Sequence, residues 1–164
     1  MKPILVCAAL LLCVSGASAQ AHWRGVPAGS TPAEVSALVP EAQPADRSTP
    51  ADGRVLLVIA AQELVGTPFE VAFGFENNQL QSVVLQTQAS SPQEATAIAQ
   101  RVTASLRSRY GLEISTKSRQ DPLTVGIDRK WSYRRTSLHL QVLDGTLVSL
   151  RYRPDIPRSA NRPL

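Results

Sequence analysis

Apolar and polar positions alternate along two long stretches of this chain, and a helical spacing of apolar residues lies between them. Phe69, Val71, Phe73 and Phe75 alternate with Glu70, Ala72 and Gly74, the period-2 pattern of a strand with one buried face. Ahead of them, Val55 to Ala60 is a continuous apolar run suited to a central strand, with Gln62 to Pro68 as the connection. Asn77-Asn78 accepts the positive φ angles of a tight hairpin, and Leu80 to Gln86 returns as a third strand. In the second stretch, Val125, Ile127, Trp131 and Tyr133 mark the inward side of a strand ending at Arg134. Leu138, Leu140 and Val142 then alternate with Ser137, His139 and Gln141. Asp144-Gly145 is a hairpin turn, and Leu147 to Tyr152 leads back. Leu112 to Lys117 is compatible with one more short strand.

The segment between these stretches predicts a helix. Ser91 can cap a free N–H of the first turn, Pro92 fits the first helical position, and Glu94 sits where a capping box wants a carboxylate. Ala95, Ile98, Ala99, Val102, Leu106 and Tyr110 form one apolar stripe, and Gly111 stops it. Thr31, Pro32 and Glu34 repeat the same start earlier, with Val35, Leu38 and Val39 facing inward until Pro40 ends the helix. Residues 40–53, with three prolines and few apolar side chains, read as a loop. Gln20 to Gly29 reads as a lead-in whose Trp23 pins the end to the core.

The two stretches echo one another. Thr31-Pro32-Ala33-Glu34 matches Ser91-Pro92-Gln93-Glu94, and the Phe75–Val83 hairpin matches Val142–Leu150. The expectation is an α+β fold of two helix-plus-three-strand units in tandem, about 29–87 and 90–153. Their strands would join in one antiparallel sheet with both helices on a single face. Residues 20–153 would then be a single domain, and 154–164, rich in Pro and Arg, a flexible tail.

The N-terminus adds an address. Lys2, the apolar run Pro3 to Val14 and the small-x-small Ala17-Ser18-Ala19 make residues 1–19 a signal peptide cleaved after Ala19, implying a periplasmic or secreted protein. Lipidation at Cys13 is the weaker alternative, because Leu12 is large and Cys13 lies inside the apolar core. Cleavage removes both Cys7 and Cys13, which excludes disulfides and cysteine chemistry from the mature chain. No later segment is apolar enough to cross a membrane as a helix.

Charge is divided unevenly. Residues 20–100 hold three arginines against eight acidic residues, whereas 101–164 hold thirteen basic against five acidic. The basic part includes Asp128-Arg129-Lys130-Trp131-Ser132-Tyr133-Arg134-Arg135, where cations flank two aromatics. Arg129, Lys130, Trp131, Tyr133, Arg134 and Arg135, extended by Arg151, are the candidate patch for an acidic partner. The competing reading makes both rings core and the cations a solvated edge. Export argues against nucleic acid as the partner.

Catalytic chemistry is not announced. His22 and His139 are the only histidines, too few for a multi-histidine metal site, and His139 falls on the solvent side of its strand. No nucleophile elbow, phosphate loop or carboxylate pair stands out, so neither an enzyme nor a cofactor is expected.

Gly29-Ser30-Thr31-Pro32-Ala33-Glu34-Val35, followed by Leu38 and Pro40, resembles the Gly-x-Thr-x-x-Glu-Val…Leu…Pro helix start of the SmpA/OmlA outer-membrane-assembly (BamE-like) family. Phe69 to Leu85 resembles the strand–turn–strand segment of that family. The same fold type occurs as a tandem repeat in the secreted β-lactamase inhibitor proteins. The resemblance implies a small, non-catalytic envelope protein that binds other proteins. Members of SmpA/OmlA are lipoproteins with one helix–sheet unit, and this chain departs from both features. The functional expectation is an exported module that docks on another envelope or secreted protein through its sheet face. The alternative is a small-molecule or lipid carrier using a helix–sheet cleft.

Overall fold

A computed structural model describes residues 21–49, 53–121 and 124–155; residues 1–19, expected to be a signal peptide, with Cys13 among them, and residues 156–164 lie outside that range. A two-stranded ribbon, β1 (Ala21–Trp23) with β2 (Val26–Pro27), leads into α1 (Pro32–Leu38). Strands β3 (Gln43–Thr49), β4 (Gly53–Leu64), β5 (Thr67–Glu76) and β6 (Gln79–Gln88) follow. Helix α2 (Pro92–Tyr110) precedes β7 (Ser115–Asp121), β8 (Thr124–Tyr133), β9 (Thr136–Leu143) and β10 (Leu147–Pro154).

Cap chemistry sets both helix starts. At α1 the box closes in both directions: Glu34 N–H donates to Thr31 Oγ1 at 3.4 Å, and Thr31 N–H donates to Glu34 Oε2 at 2.8 Å. At α2, Glu94 N–H donates to Ser91 Oγ, but the Glu94 carboxylate reaches one residue further back and accepts from Ser90 N–H at 2.7 Å. The α2 stripe Ala95, Ile98, Ala99, Val102 and Leu106 is buried as its spacing requires.

The expectation of two helix-plus-three-strand units is overturned. The strands form one continuous antiparallel sheet of eight, ordered β3-β4-β5-β6-β10-β9-β8-β7, and the helices are unequal, seven residues against nineteen. Four strands follow each helix, and the two runs meet where β10 pairs with β6. The miscount has a physical cause at each outer edge. β3 lies in the stretch read as a loop, and β7 is Ser-Thr-Lys-Ser-Arg-Gln-Asp, with no apolar period. An edge strand pairs on one side only, so Pro44 is tolerated in β3, and a polar sequence discourages further pairing. Ion pairs fasten that edge: Arg54 Nε to Asp46 Oδ1 at 3.0 Å and Arg47 Nη2 to Glu70 Oε1 at 2.9 Å.

One face of the sheet carries the core. Trp23 and Val26 from the ribbon, Val35 and Val39 at α1, and the α2 stripe join one cluster with the inward rows of the central strands. Those rows include Phe69, Val71, Phe73, Leu85, Trp131, Leu138, Leu140 and Leu150. Trp23 meets Phe73 edge-on, with centroids 5.6 Å apart, so the lead-in is pinned by its indole. β10 extends through Pro154, and Asp155 N–H donates to Arg135 O, so residues 154 and 155, the first two of the expected tail, are tied to the sheet. Among the described residues, no helix is long and apolar enough to cross a membrane.

Candidate functional site

Register fixes what the other face presents. Glu70 of β5 is opposite Gln86 of β6, Gln86 opposite Ser149 of β10, Ser149 opposite Gln141 of β9, and Gln141 opposite Asp128 of β8. These five residues make one polar row across five strands, about 19 Å at the usual interstrand spacing. Beside it runs a second row: Ala72, Val84, Arg151, His139 and Lys130. The buried apolar residues of the ribbon and both helices belong to the core on the opposite side, so these elements pack on the other face of the sheet. Yet Val55, Ser82, Val84 and Ser149 are buried without belonging to that core. Register shifts in β4–β5 and β5–β6 mark bulges, which sharpen local twist and curl the strands around these small side chains.

Hydrogen bonds tie the row together. Gln86 Nε2 donates to Ser149 Oγ at 3.5 Å, and Gln141 Nε2 to Asp128 Oδ2 at 3.4 Å. His139 Nε2 lies 2.6 Å from Asp128 Oδ1. His139 is half-buried rather than freely solvated, because the neighbouring strands flank it on both sides. That burial pulls its pKa below the usual histidine value; Asp128 opposes the shift, and Lys130 and Arg151 reinforce it. The face therefore offers amides, a hydroxyl, an imidazole and both signs of charge in fixed positions.

The predicted basic–aromatic patch does not survive as one surface. Trp131 is core, and its Nε1 donates to Gly111 O at 3.1 Å, which fastens the end of α2 to β8. Arg129 is committed inward: its Nη1 is 2.8 Å from Glu113 Oε1, and the same carboxylate binds Arg107 through Oε1 at 2.6 Å and Oε2 at 2.9 Å. The Glu113 side chain is only 4% exposed, and hydrogen bonding by Arg107 leads the effects that lower its pKa from 4.5 to about 2. Lys130 and Arg151 lie on the open face. Tyr133, Arg134 and Arg135 sit at the β8–β9 turn, where Tyr133 is 39% exposed and Arg134 stacks over its ring. One sequence segment thus feeds three places, since alternation sends neighbours to opposite faces and the turn removes the last two from the strand.

The β8–β9 turn is unusual. Arg134 and Arg135 both take positive φ, 47° and 61°, the tight-hairpin geometry that Asn-Gly or Asp-Gly adopts without strain. For residues with a β-carbon this costs about 1–2 kcal/mol each. No turn residue marks it in the sequence, where the alternating pattern carries the strand on to Arg134. Leu112 and Ile114, which the sequence allows in a short strand, lie instead on the link from α2 to β7 and are strongly exposed.

No protein-family model matches the chain, and no curated protein is similar to it. Among solved structures, a DUF4309 family protein (YjgB) from Bacillus subtilis is similar, with 19% identity over 76% of this chain and 78% of that one, at a TM-score of 0.44.

Two outcomes follow from this geometry. Glu113→Gln costs about 1–3 kcal/mol near neutral pH, measured by urea unfolding, because two guanidiniums lose their charged acceptor. The folded carboxylate titrates near 2 and the unfolded one near 4.5, so its contribution is complete above 4.5 and fades as pH falls through 2. A wild-type-minus-variant difference that stays constant across that window contradicts the assignment. Replacing the turn by R134N/R135G raises stability by about 1 kcal/mol through relief of the positive-φ strain. A destabilised double variant would mean that the arginines hold the turn instead of straining it.

Proposed function

We infer that the chain is an exported, non-catalytic binding module of the bacterial cell envelope, acting by protein–protein interaction through the open face of its sheet. The observation that carries this reading is the register-aligned polar row from Glu70 to Asp128 on the sheet face opposite the helices, where Glu70, Gln86, Gln141 and Asp128 stay partly exposed and Ser149 is buried between them. Rigid strands hold its donors and acceptors, so little side-chain freedom is lost on docking. Arg151 and Lys130 give one side of the face a basic character, and the partner side that meets them is acidic. Export rests on the N-terminal signal pattern, and the envelope role on the resemblance to the SmpA/OmlA helix start. The carrier alternative has no comparable support: Ile98, Val102, Trp131 and Leu140 fill the helix–sheet interface it would use.

Site-directed cross-linking in the producing cell tests the reading. A photoreactive residue at Gln141 yields one discrete protein adduct, while the same probe at Gln100, exposed on α2, does not. Equal, diffuse labelling from both positions would contradict it.

A further inference from the structure

The strand ends around the β8–β9 turn form a second surface, separate from the open face. Arg109 lies over the ring of Tyr110, at 5.7 Å from its centroid, and Arg134 lies over Tyr133 at 5.1 Å. The two rings contact each other, 5.4 Å between centroids. Two guanidiniums are therefore held on adjoining aromatic supports. Beneath them Tyr152 is buried and hydrogen-bonds Tyr110, so the platform rests on the core.

Two and four residues after Tyr110, Leu112 and Ile114 are 79% and 69% exposed, the most exposed large apolar side chains among the described residues. Glu113 between them points inward and is neutralised by Arg107 and Arg129, which removes the carboxylate nearest the pair from the surface. Asp155 is engaged by Ser132 Oγ at 2.8 Å, and Ser132 belongs to the open-face side of β8. No described carboxylate forms an ion pair with Arg109 or Arg134. The corner combines guanidiniums that no described carboxylate pairs, tyrosine and exposed aliphatic side chains, and its turn keeps arginine at a backbone position that disfavours it.

We propose that this corner is a docking site for an acidic peptide segment with interleaved aliphatic residues, presented by a partner protein. Charge complementarity requires an anion, and the support of each guanidinium on a ring selects which anion. Stacked arginines present their forks in set directions, suited to bidentate carboxylates at defined spacing. A fluid layer of anionic lipid headgroups needs positive charge but gains nothing from that pre-orientation. Leu112 and Ile114 take the aliphatic residues between the carboxylates, as apolar contacts commonly accompany Tyr and Arg at interface centres.

The test uses the purified mature protein and fluorescent synthetic peptides of alternating Glu and Leu, Lys and Leu, or Glu and Ser. The Glu–Leu peptide binds, more tightly at low salt, and the other two do not compete. R109Q/R134Q weakens it by about tenfold per arginine. R109K/R134K, which keeps the charge and loses the fork, weakens it by nearly as much. L112S/I114S, at exposed positions, also weakens it while the unfolding temperature stays at the wild-type value. The proposal is overturned by full retention of affinity in R109K/R134K, by no binding of the Glu–Leu peptide, or by phosphatidylglycerol vesicles binding the wild type and the lysine variant alike. Concentration-dependent self-association abolished by L112S/I114S would also overturn it, since a second copy would then cover the corner. None of these outcomes depends on the open face.

Discussion

The pairing of β6 with β10 is the constraint on which the rest of the structure depends. Leu85 is opposite Leu150 and Val83 opposite Tyr152 on the core side, while Gln86 meets Ser149 on the open side. Without this seam each run of four strands would end in an unpaired edge at the middle of the molecule, with apolar rows beside it. With it, α2 packs over β8, β9 and β10 while α1 lies against β4, and their buried residues close into one cluster. The same seam carries the polar row across the sheet, because a slip of one residue would exchange the two faces of β10.

The charge division found along the chain becomes spatial in the sheet. All three arginines of residues 20–100 are matched locally: Arg24 with Glu41, Arg47 with Glu70 and Arg54 with Asp46. Glu34 and Glu94 are held at helix starts, where their carboxylates accept from cap groups and their pKa values are lowered. In the basic part, Arg107 and Arg129 converge on Glu113, which leaves the arginines at the α2 end and the β8–β9 turn facing outward. Exposed pairs of the first kind add little stability each. They match every arginine of that half, which stays net acidic, while the surplus positive charge lies in the other.

What the sequence made legible was whatever repeats with a period or needs a particular residue. The α2 stripe, the alternation of Phe69 to Phe75 and Leu138 to Val142, the caps at Thr31 and Ser91, and the Asn77-Asn78 and Asp144-Gly145 turns are of this kind. The polar edges β3 and β7 are not, because an edge strand is stabilised by its neighbour's backbone and needs no apolar signature. With β3 unmarked and β7 overlapped only by the optional short strand Leu112 to Lys117, each four-strand run reads as three, and the tandem count does not hold. The residues of the candidate patch are divided for a related reason. Alternation predicts that Arg129 and Trp131 share a side, but only packing shows that this side is the interior and that Glu113 waits there for the guanidinium. The cross-strand row from Glu70 to Asp128 involves five separate strands, so no single segment could reveal it.

Amide hydrogen exchange across the seam tests the account most directly. If one sheet and one core hold the molecule together, the slowest amides of β6 and β10 share a single opening free energy, equal to that of global unfolding, and those of β5 and β9 follow them. Exchange of β7 to β10 through a lower-energy opening that leaves β3 to β6 protected would contradict it, because the two runs would then be separable units placed side by side.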